Sequence, residues 1–288
     1  MGYDYGKIWV TGAAGRLGVT IHDMLDMRDV ELLETDREEL DITSMEEVAL
    51  FGSRNRPNTI INCAGLTDVK ECEENMEKAY KVNALGARNL SAAARKIDAR
   101  IIQISTDDIF SYSENKSFHE FDTPRPWTVY GKSKLAGENF VKELAPKHLI
   151  IRSSWLYGRS GMNFVNSVMD KARKGEQIEA AVDEYACPTS ARELCRLILR
   201  LVQGEQEGIF HAVCKGYCSR YELAQEIVRL MDQKEADLIP RKVEELWPDI
   251  KGPRYTILDN MMLRMCGIEE PVSWQAALKE YVENNKEK

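Results

Sequence analysis

One stretch near the N-terminus restricts the fold more than any other. A short apolar run, Lys7-Ile8-Trp9-Val10-Thr11, stops at Gly12-Ala13-Ala14-Gly15-Arg16-Leu17-Gly18, and Val19-Thr20-Ile21-His22-Asp23-Met24-Leu25 follows with helical periodicity. An apolar run bounded by glycine reads as a buried strand. Glycines spaced by three permit a tight turn, let the backbone approach a pyrophosphate, and let the helix pack close to the strand. The helix N-terminus then faces phosphates with free N–H groups and a favourable dipole. This strand–turn–helix unit is the opening of a dinucleotide-binding fold.

The chain behind it keeps alternating. Val30-Glu31-Leu32-Leu33-Glu34-Thr35 reads as a second strand, ending at Asp36-Arg37. The acid there suits a ribose and the arginine a 2′-phosphate, so NADPH and NADH both stay open. Leu40-Asp41-Ile42 leads to a helix capped by Thr43 or Ser44. Thr59-Ile60-Ile61-Asn62 is a strand whose small-residue end, Cys63-Ala64-Gly65, lets backbone pass close to a cofactor. One long helix is expected from about Glu74 to Arg95, then a strand over Arg100–Thr106, a helix from Tyr130, and a strand from His148 to Trp155. The fold class is therefore α/β, a Rossmann-type doubly wound parallel sheet.

After Tyr157-Gly158 the alternation loosens. A helix over Asn163–Gly175, a strand at Gln177–Ala180, a helix opened by Pro188 and running to about Gln203, and a last sheet strand at Gly208–Val213 are expected. The tail from Ser219 is helical in pieces, with turns at Pro240, Pro248 and Gly252-Pro253. The domains that follow are a cofactor domain, 1–157 plus 182–213, and a smaller C-terminal α/β substrate domain, 158–181 plus 214–288.

Composition narrows the function classes. A formal net charge of -8 over 288 residues argues against nucleic acid and against an anionic membrane surface. No apolar stretch has the length of a membrane span, and Met1–Gly6 lacks the basic and apolar regions of a signal peptide, so a cytoplasmic location is expected. The seven cysteines are scattered and odd in number, the pattern of reduced thiols. His211, Cys214 and Cys218 lie close together but lack a second close pair, which reads as a strand end and a helix cap rather than zinc, and no metal site is expected.

Candidate chemistry gathers at two places. Tyr130-Gly131-Lys132-Ser133-Lys134 puts a phenol and an ammonium at i and i+4 on one helix face. A nearby cation favours phenolate and makes the phenol a better proton donor. Ser105, Thr106, Asp107 and Asp108 sit at the carboxyl end of a strand, where parallel sheets bind ligands. Thr106 is placed there to hydrogen-bond a substrate oxygen.

These features and Asp183-Glu184-Tyr185-Ala186-Cys187-Pro188-Thr189 together resemble the extended short-chain dehydrogenase/reductase superfamily. Within it the chain looks most like the dTDP-4-dehydrorhamnose reductase family, over nearly its whole length. Asn62–Gly65, Arg152–Tyr157 and Asn163-Phe164 fit that family too. The resemblance implies reduction of a nucleotide-linked 4-keto sugar at C4 by NADPH or NADH. Thr106, Tyr130 and Lys134 would be catalytic, with Tyr130 the proton donor. Gly12, Gly15, Arg16, Leu17, Gly18, Asp36, Arg37, Asp41, Ile42, Cys63, Ala64, Gly65, Tyr130 and Lys134 would bind cofactor. Thr106, Asp107 and Trp155 would meet the substrate. The family includes magnesium-linked dimers, so the resemblance leaves Mg2+ open without acidic ligands that the sequence supports, and the chain is expected as a monomer or homodimer.

Three positions depart from the family pattern. Asp108 stands where the pattern has tyrosine, Lys70 where it has aspartate, and Gly252 where it has arginine, with Arg254 two positions on. A ring lost and a charge reversed point to a different sugar, and Lys70 with Asp108 is a candidate compensating pair. The alternatives are a non-catalytic regulatory subunit that keeps the cofactor fold, and a sugar-nucleotide epimerase or dehydratase.

Overall fold

Side-chain alternation along the N-terminal strands sets the layering. The computed structural model describes residues 5–25, 30–110, 115–233, 236–248 and 254–285. Strands Lys7–Thr11 (β1), Glu31–Thr35 (β2), Thr59–Asn62 (β3), Arg100–Thr106 (β4), His148–Ser153 (β5) and Gly208–His211 (β6) form one parallel sheet in the order β2-β1-β3-β4-β5-β6. The longer helices are Arg16–Leu25 (α1), Met45–Asn55 (α2), Ala87–Ile97 (α3), Val129–Leu144 (α4), Phe164–Lys174 (α5), Ala191–Gln203 (α6), Arg220–Leu230 (α7) and Trp274–Glu283 (α8).

Ile8, Val10, Ile61, Ile102, Leu149 and Ile151 point to one face, against α1 and α6. Trp9, Ile60, Ile101 and Ile150 point to the other, against α2, α3 and α4. Each such burial is worth about 1.5–3 kcal/mol. A slip by one residue would send every one of these side chains to the wrong layer, so the register is firmly set. The chain leaves β1 toward β2 on one side and β3 on the other, which opens a crevice at their carboxyl ends. A second apolar cluster joins α5, α7 and α8 through Val168, Ile227 and Leu278. Beside it lies a small sheet in which Glu184–Ala186 runs between Cys218–Ser219 and Arg254–Tyr255.

Several local expectations are corrected. The long helix expected over 74–95 is broken into Val69–Glu74, Met76–Tyr80, a π-helical turn over Lys81–Gly86, and α3. Asn75 causes the first break: its side chain accepts the Lys78 N–H at 3.2 Å and so starts a new helix. The π turn carries Asn83 inward, where it is 3% exposed. Pro188 does not open α6. Thr189–Ser190 first pairs with Leu156–Tyr157, and the Ser190 hydroxyl then caps the helix by accepting the Glu193 N–H. Pro240 lies in the strand Leu238–Arg241, not in a turn; that strand is half of a two-stranded sheet, and an edge tolerates the missing N–H. Of the two candidate caps for α2, Ser44 is the one used. Gly252-Pro253 lies outside the described residues.

Candidate active site

The glycine turn is shaped by close backbone approach. Gly12 has φ +69°, and a Cβ on it would lie 2.6 Å from the Ala64 nitrogen. A Cβ on Gly18 would lie 2.5 Å from the carbonyl oxygens of both Gly12 and Ala13. By contrast, the space beside Gly15 is open apart from the Gly12 carbonyl at 3.1 Å. The turn thus presents a cradle that side chains would fill, and the first turn of α1 holds no acidic residue. That geometry fits a pyrophosphate.

The other cofactor candidates divide. Ala64 packs against Gly12, and Gly65 lies beside Lys134, whose Nζ is 3.7 Å from the position of an added Cβ. The Cys63 N–H donates to the Thr11 carbonyl, and burial pushes its thiol pKa up. Asp36 holds the turn itself, its carboxylate accepting the Ala14 N–H at 2.8 Å and the Arg37 N–H at 2.7 Å. The Arg37 side chain is exposed and makes no hydrogen bond among the described residues. Leu17 is buried in the core, and Arg16 turns its guanidinium to the Met162 carbonyl. Asp41 and Ile42 are used locally: Asp41 accepts the Thr43 N–H, and Ile42 is buried with its carbonyl on Asn89.

The catalytic candidates meet at the carboxyl end of β4. Thr128 caps α4, so Tyr130 lies in the first turn and Lys134 one turn on. A third residue shares that face. Glu138 is fully buried and pairs with Arg152 of β5 at 2.8 Å, while the Ser105 hydroxyl donates to it at 2.6 Å. Removing one member of such a pair strands a buried charge, so the pair fixes α4 on the sheet. Its signal in the sequence is the i+4 spacing from Lys134. Asn83 works similarly, donating to the Leu66 carbonyl and the Ser133 hydroxyl, both at 2.9 Å, and accepting the Leu66 N–H.

Tyr130 lies beside Thr106, whose hydroxyl works to lower the phenol pKa, but burial dominates and raises it. The phenol therefore stays protonated. Lys134 shares that helix face one turn on. The ammonium donates to the Ile104 carbonyl at 2.6 Å and is turned toward Gly65, while burial lowers its own pKa to about 8. Thr106 is 6% exposed; its hydroxyl donates to Asp107 and accepts the Asp108 N–H, each at 3.2 Å. Asp107 is buried among hydroxyls, taking Ser154 at 2.8 Å and Thr256 at 2.6 Å on one oxygen. Burial, then the Asp108 charge, raise its carboxyl to about 6.

The expected Lys70–Asp108 pair is not formed. Lys70 faces solvent and sits 3.8 Å from Glu74. Asp108 is buried and pairs with Arg254 at 2.6 Å. Glu184 and Arg254 are register partners on one face of the small sheet, 3.3 Å apart, and Glu184 also takes Arg220 at 3.3 Å. Arg220 in turn sits over the Trp155 ring, 3.5 Å from its centroid. Trp155 has φ 41°, rare for a bulky residue, which marks it as held by its surroundings. The sequence reading missed Glu184 and Arg220 as site residues. His211 lies apart, its ring between Arg152 and the Asp259 carbonyl, and among the described residues no cluster of metal-ligating side chains is found.

A doubly wound parallel sheet with a glycine cradle, and with threonine, tyrosine and lysine gathered at the strand ends, defines a Rossmann-type fold of the extended short-chain dehydrogenase/reductase class. The chain belongs to the RmlD substrate binding domain family, which matches residues 6–287. It is 33% identical over 270 residues to the dTDP-4-keto-6-deoxy-D-glucose reductase of Streptomyces niveus, covering 93% of this chain and 94% of that one. A dTDP-4-dehydrorhamnose reductase structure from Clostridium acetobutylicum superposes with TM-score 0.92 at 41% identity, covering 97% of this chain and 99% of that one. Another from Bacillus anthracis, in complex with NADP, gives TM-score 0.93 at 34% identity, covering 96% and 99%.

Proposed function

We propose that this chain is an NAD(P)H-dependent reductase of a nucleotide-linked 4-keto sugar. The observation that carries the reading is the gathering of Thr106, a protonated Tyr130 and Lys134 at the strand ends, beside a glycine cradle with room for a pyrophosphate. The reductase names of the relatives support the substrate class. The bound nicotinamide supplies hydride to the carbonyl carbon. Thr106 orients the carbonyl oxygen. Tyr130 gives it a proton as negative charge develops; even with its pKa raised by burial, the phenol is a stronger acid than the alcohol that forms. Lys134 takes a ribose hydroxyl of the cofactor, and Gly12, Gly15 and the first turn of α1 take its phosphates. Asp107 acts through Thr106, holding it rather than meeting the sugar, and Trp155 flanks the sugar.

In this reading the cofactor domain is 1–157 plus 182–213, the substrate domain is 158–181 plus 214–288, and the chain works in the cytoplasm as a monomer or homodimer. No helix among the described residues is long and apolar enough to cross a membrane.

The test is oxidation of added NADPH and NADH against a panel of nucleotide-linked 4-keto sugars, comparing wild type with Tyr130→Phe. The variant is expected to lose about 10²–10⁴-fold in kcat with the cofactor still bound. Equal rates would remove Tyr130 from its role. Turnover without net consumption would favour an epimerase or dehydratase, and no turnover a regulatory subunit.

A further inference from the structure

The charged chain that starts at Asp108 ends in a group for which the reduction has no use. Arg254 engages both ends of its guanidinium, one with Asp108 and one with Glu184. Arg220 gives Glu184 only its Nε–H, at 3.3 Å, and makes no other hydrogen bond among the described residues. A guanidinium carries five N–H donors, so its Nη1 and Nη2 edge is open. The side chain is nevertheless held. Trp155 lies beneath it at 3.5 Å, Phe164 flanks it at 4.9 Å, and only 22% of it is exposed. Three contacts from three segments keep a flat, permanently charged fork in place with its paired donors unused. Glu184 links Arg220 to Arg254, and Arg254 reaches Asp108, two residues beyond Thr106 at the end of β4.

We propose that Arg220 receives an oxyanion of the substrate, a phosphate or a carboxylate, on its Nη1/Nη2 edge. The inference rests on the reductase reading, since it takes Trp155 to line the substrate's path. Asp108, Glu184 and Arg254 then serve Arg220. Arg254 neutralises Asp108 and shares Glu184, so Glu184 orients Arg220 without using its forked end. Two oxygens of one phosphate or carboxylate match that planar fork in the bidentate geometry that makes arginine their preferred partner.

The experiment is calorimetric titration of the full chain, saturated with NADP+, using three probes: dTDP, UDP-glucose and UDP-glucuronate. Wild type is compared with Arg220→Gln and Arg220→Lys. If the oxyanion is the diphosphate, Arg220→Gln weakens dTDP by roughly ten- to a hundredfold, the size of one charge-assisted contact, and Arg220→Lys recovers part of it. If it is a carboxylate on the sugar, dTDP binding holds and a wild-type preference for UDP-glucuronate over UDP-glucose vanishes in Arg220→Gln. NADP+ affinity and the thermal midpoint stay at wild-type values in either case. Three probes bound by Arg220→Gln as by wild type would overturn the proposal. So would a loss of NADP+ affinity matching the loss of dTDP affinity, which would mark Arg220 as merely structural. Wild type that binds none of the probes would instead remove the nucleotide-sugar reading beneath it.

Discussion

Around Gly12 the site is made of backbone at close range, with Ala13, Ala64 and Gly18 in near contact. Around Glu184 it is made of charged side chains brought from far along the chain: Arg254 reaches Asp108 across 146 residues and Glu184 across 70. The two halves answer to different physics. A glycine turn is fixed by local sterics and tolerates almost no change of residue. A chain of two carboxylates and two guanidiniums is fixed by mutual compensation and can be rewritten wherever charge is conserved. One half therefore keeps a cofactor constant, while the other is free to change what is reduced.

The contrast breaks first at Arg254. Arg254→Ala removes the guanidinium that pairs with buried Asp108 at 2.6 Å, and a broken buried pair costs about 3–5 kcal/mol. Urea unfolding is expected to show that loss in Arg254→Ala and to show most of it recovered in the double variant with Asp108→Asn. Equal stability of all three would mean that the pair does not hold this half together.

On the cofactor side, Gly18→Ala forces a methyl against two carbonyl oxygens. Overpacking of this kind costs about 1–3 kcal/mol, expected as weaker NADP+ binding with dTDP binding unchanged. Weakening of both by the same factor would show the two halves to be less separate than their construction suggests.

Lys134 stands where the halves meet, and its pKa of about 8 gives a pH signature. The rate is expected to fall as pH rises through about 8, and Lys134→Arg is expected to push that limb upward. Stability runs the other way. Between about 8 and the ordinary lysine value the unfolded chain holds a proton that the folded chain has shed, so wild type gains on Lys134→Met as pH rises. A pH–rate profile unmoved by Lys134→Arg would free Lys134 from its role.

The smallest effect belongs to Arg37. Asp36 is engaged with the turn while the Arg37 guanidinium is exposed, so NADPH is expected over NADH. Arg37→Ala should shrink that preference by roughly three- to tenfold, the range of one exposed charged contact. Kinetics with both cofactors decide it.

What the sequence disclosed follows the same line. The glycine spacing, the alternating strands, and Tyr130 with Lys134 are local patterns, and they were legible. Lys70 was paired with Asp108 because their charges are complementary, yet complementarity cannot choose among the cations of a chain with 39 of them. Topology chose Arg254. It brings the small sheet across the end of β4, and Lys70 stays in solvent beside Glu74. The broken helix was missed for a related reason: apolar periodicity continues through Asn75 and Asn83, and only the hydrogen bonds of their side chains reveal the breaks.

The π turn over Lys81–Gly86 has a consequence for how this gene tolerates editing. A π turn amounts to one residue inserted into an α-helix. Deleting a single codon there would yield a smoother helix of better intrinsic geometry. It would also rotate everything upstream by about 100°, the angle per residue of a 3.6-residue turn. Asn83 would then swing away from Leu66 and Ser133, and the loop carrying Gly65 would lose its tether to α4. Here the shorter helix is the better polymer and the worse scaffold, because the extra residue is what aims Asn83.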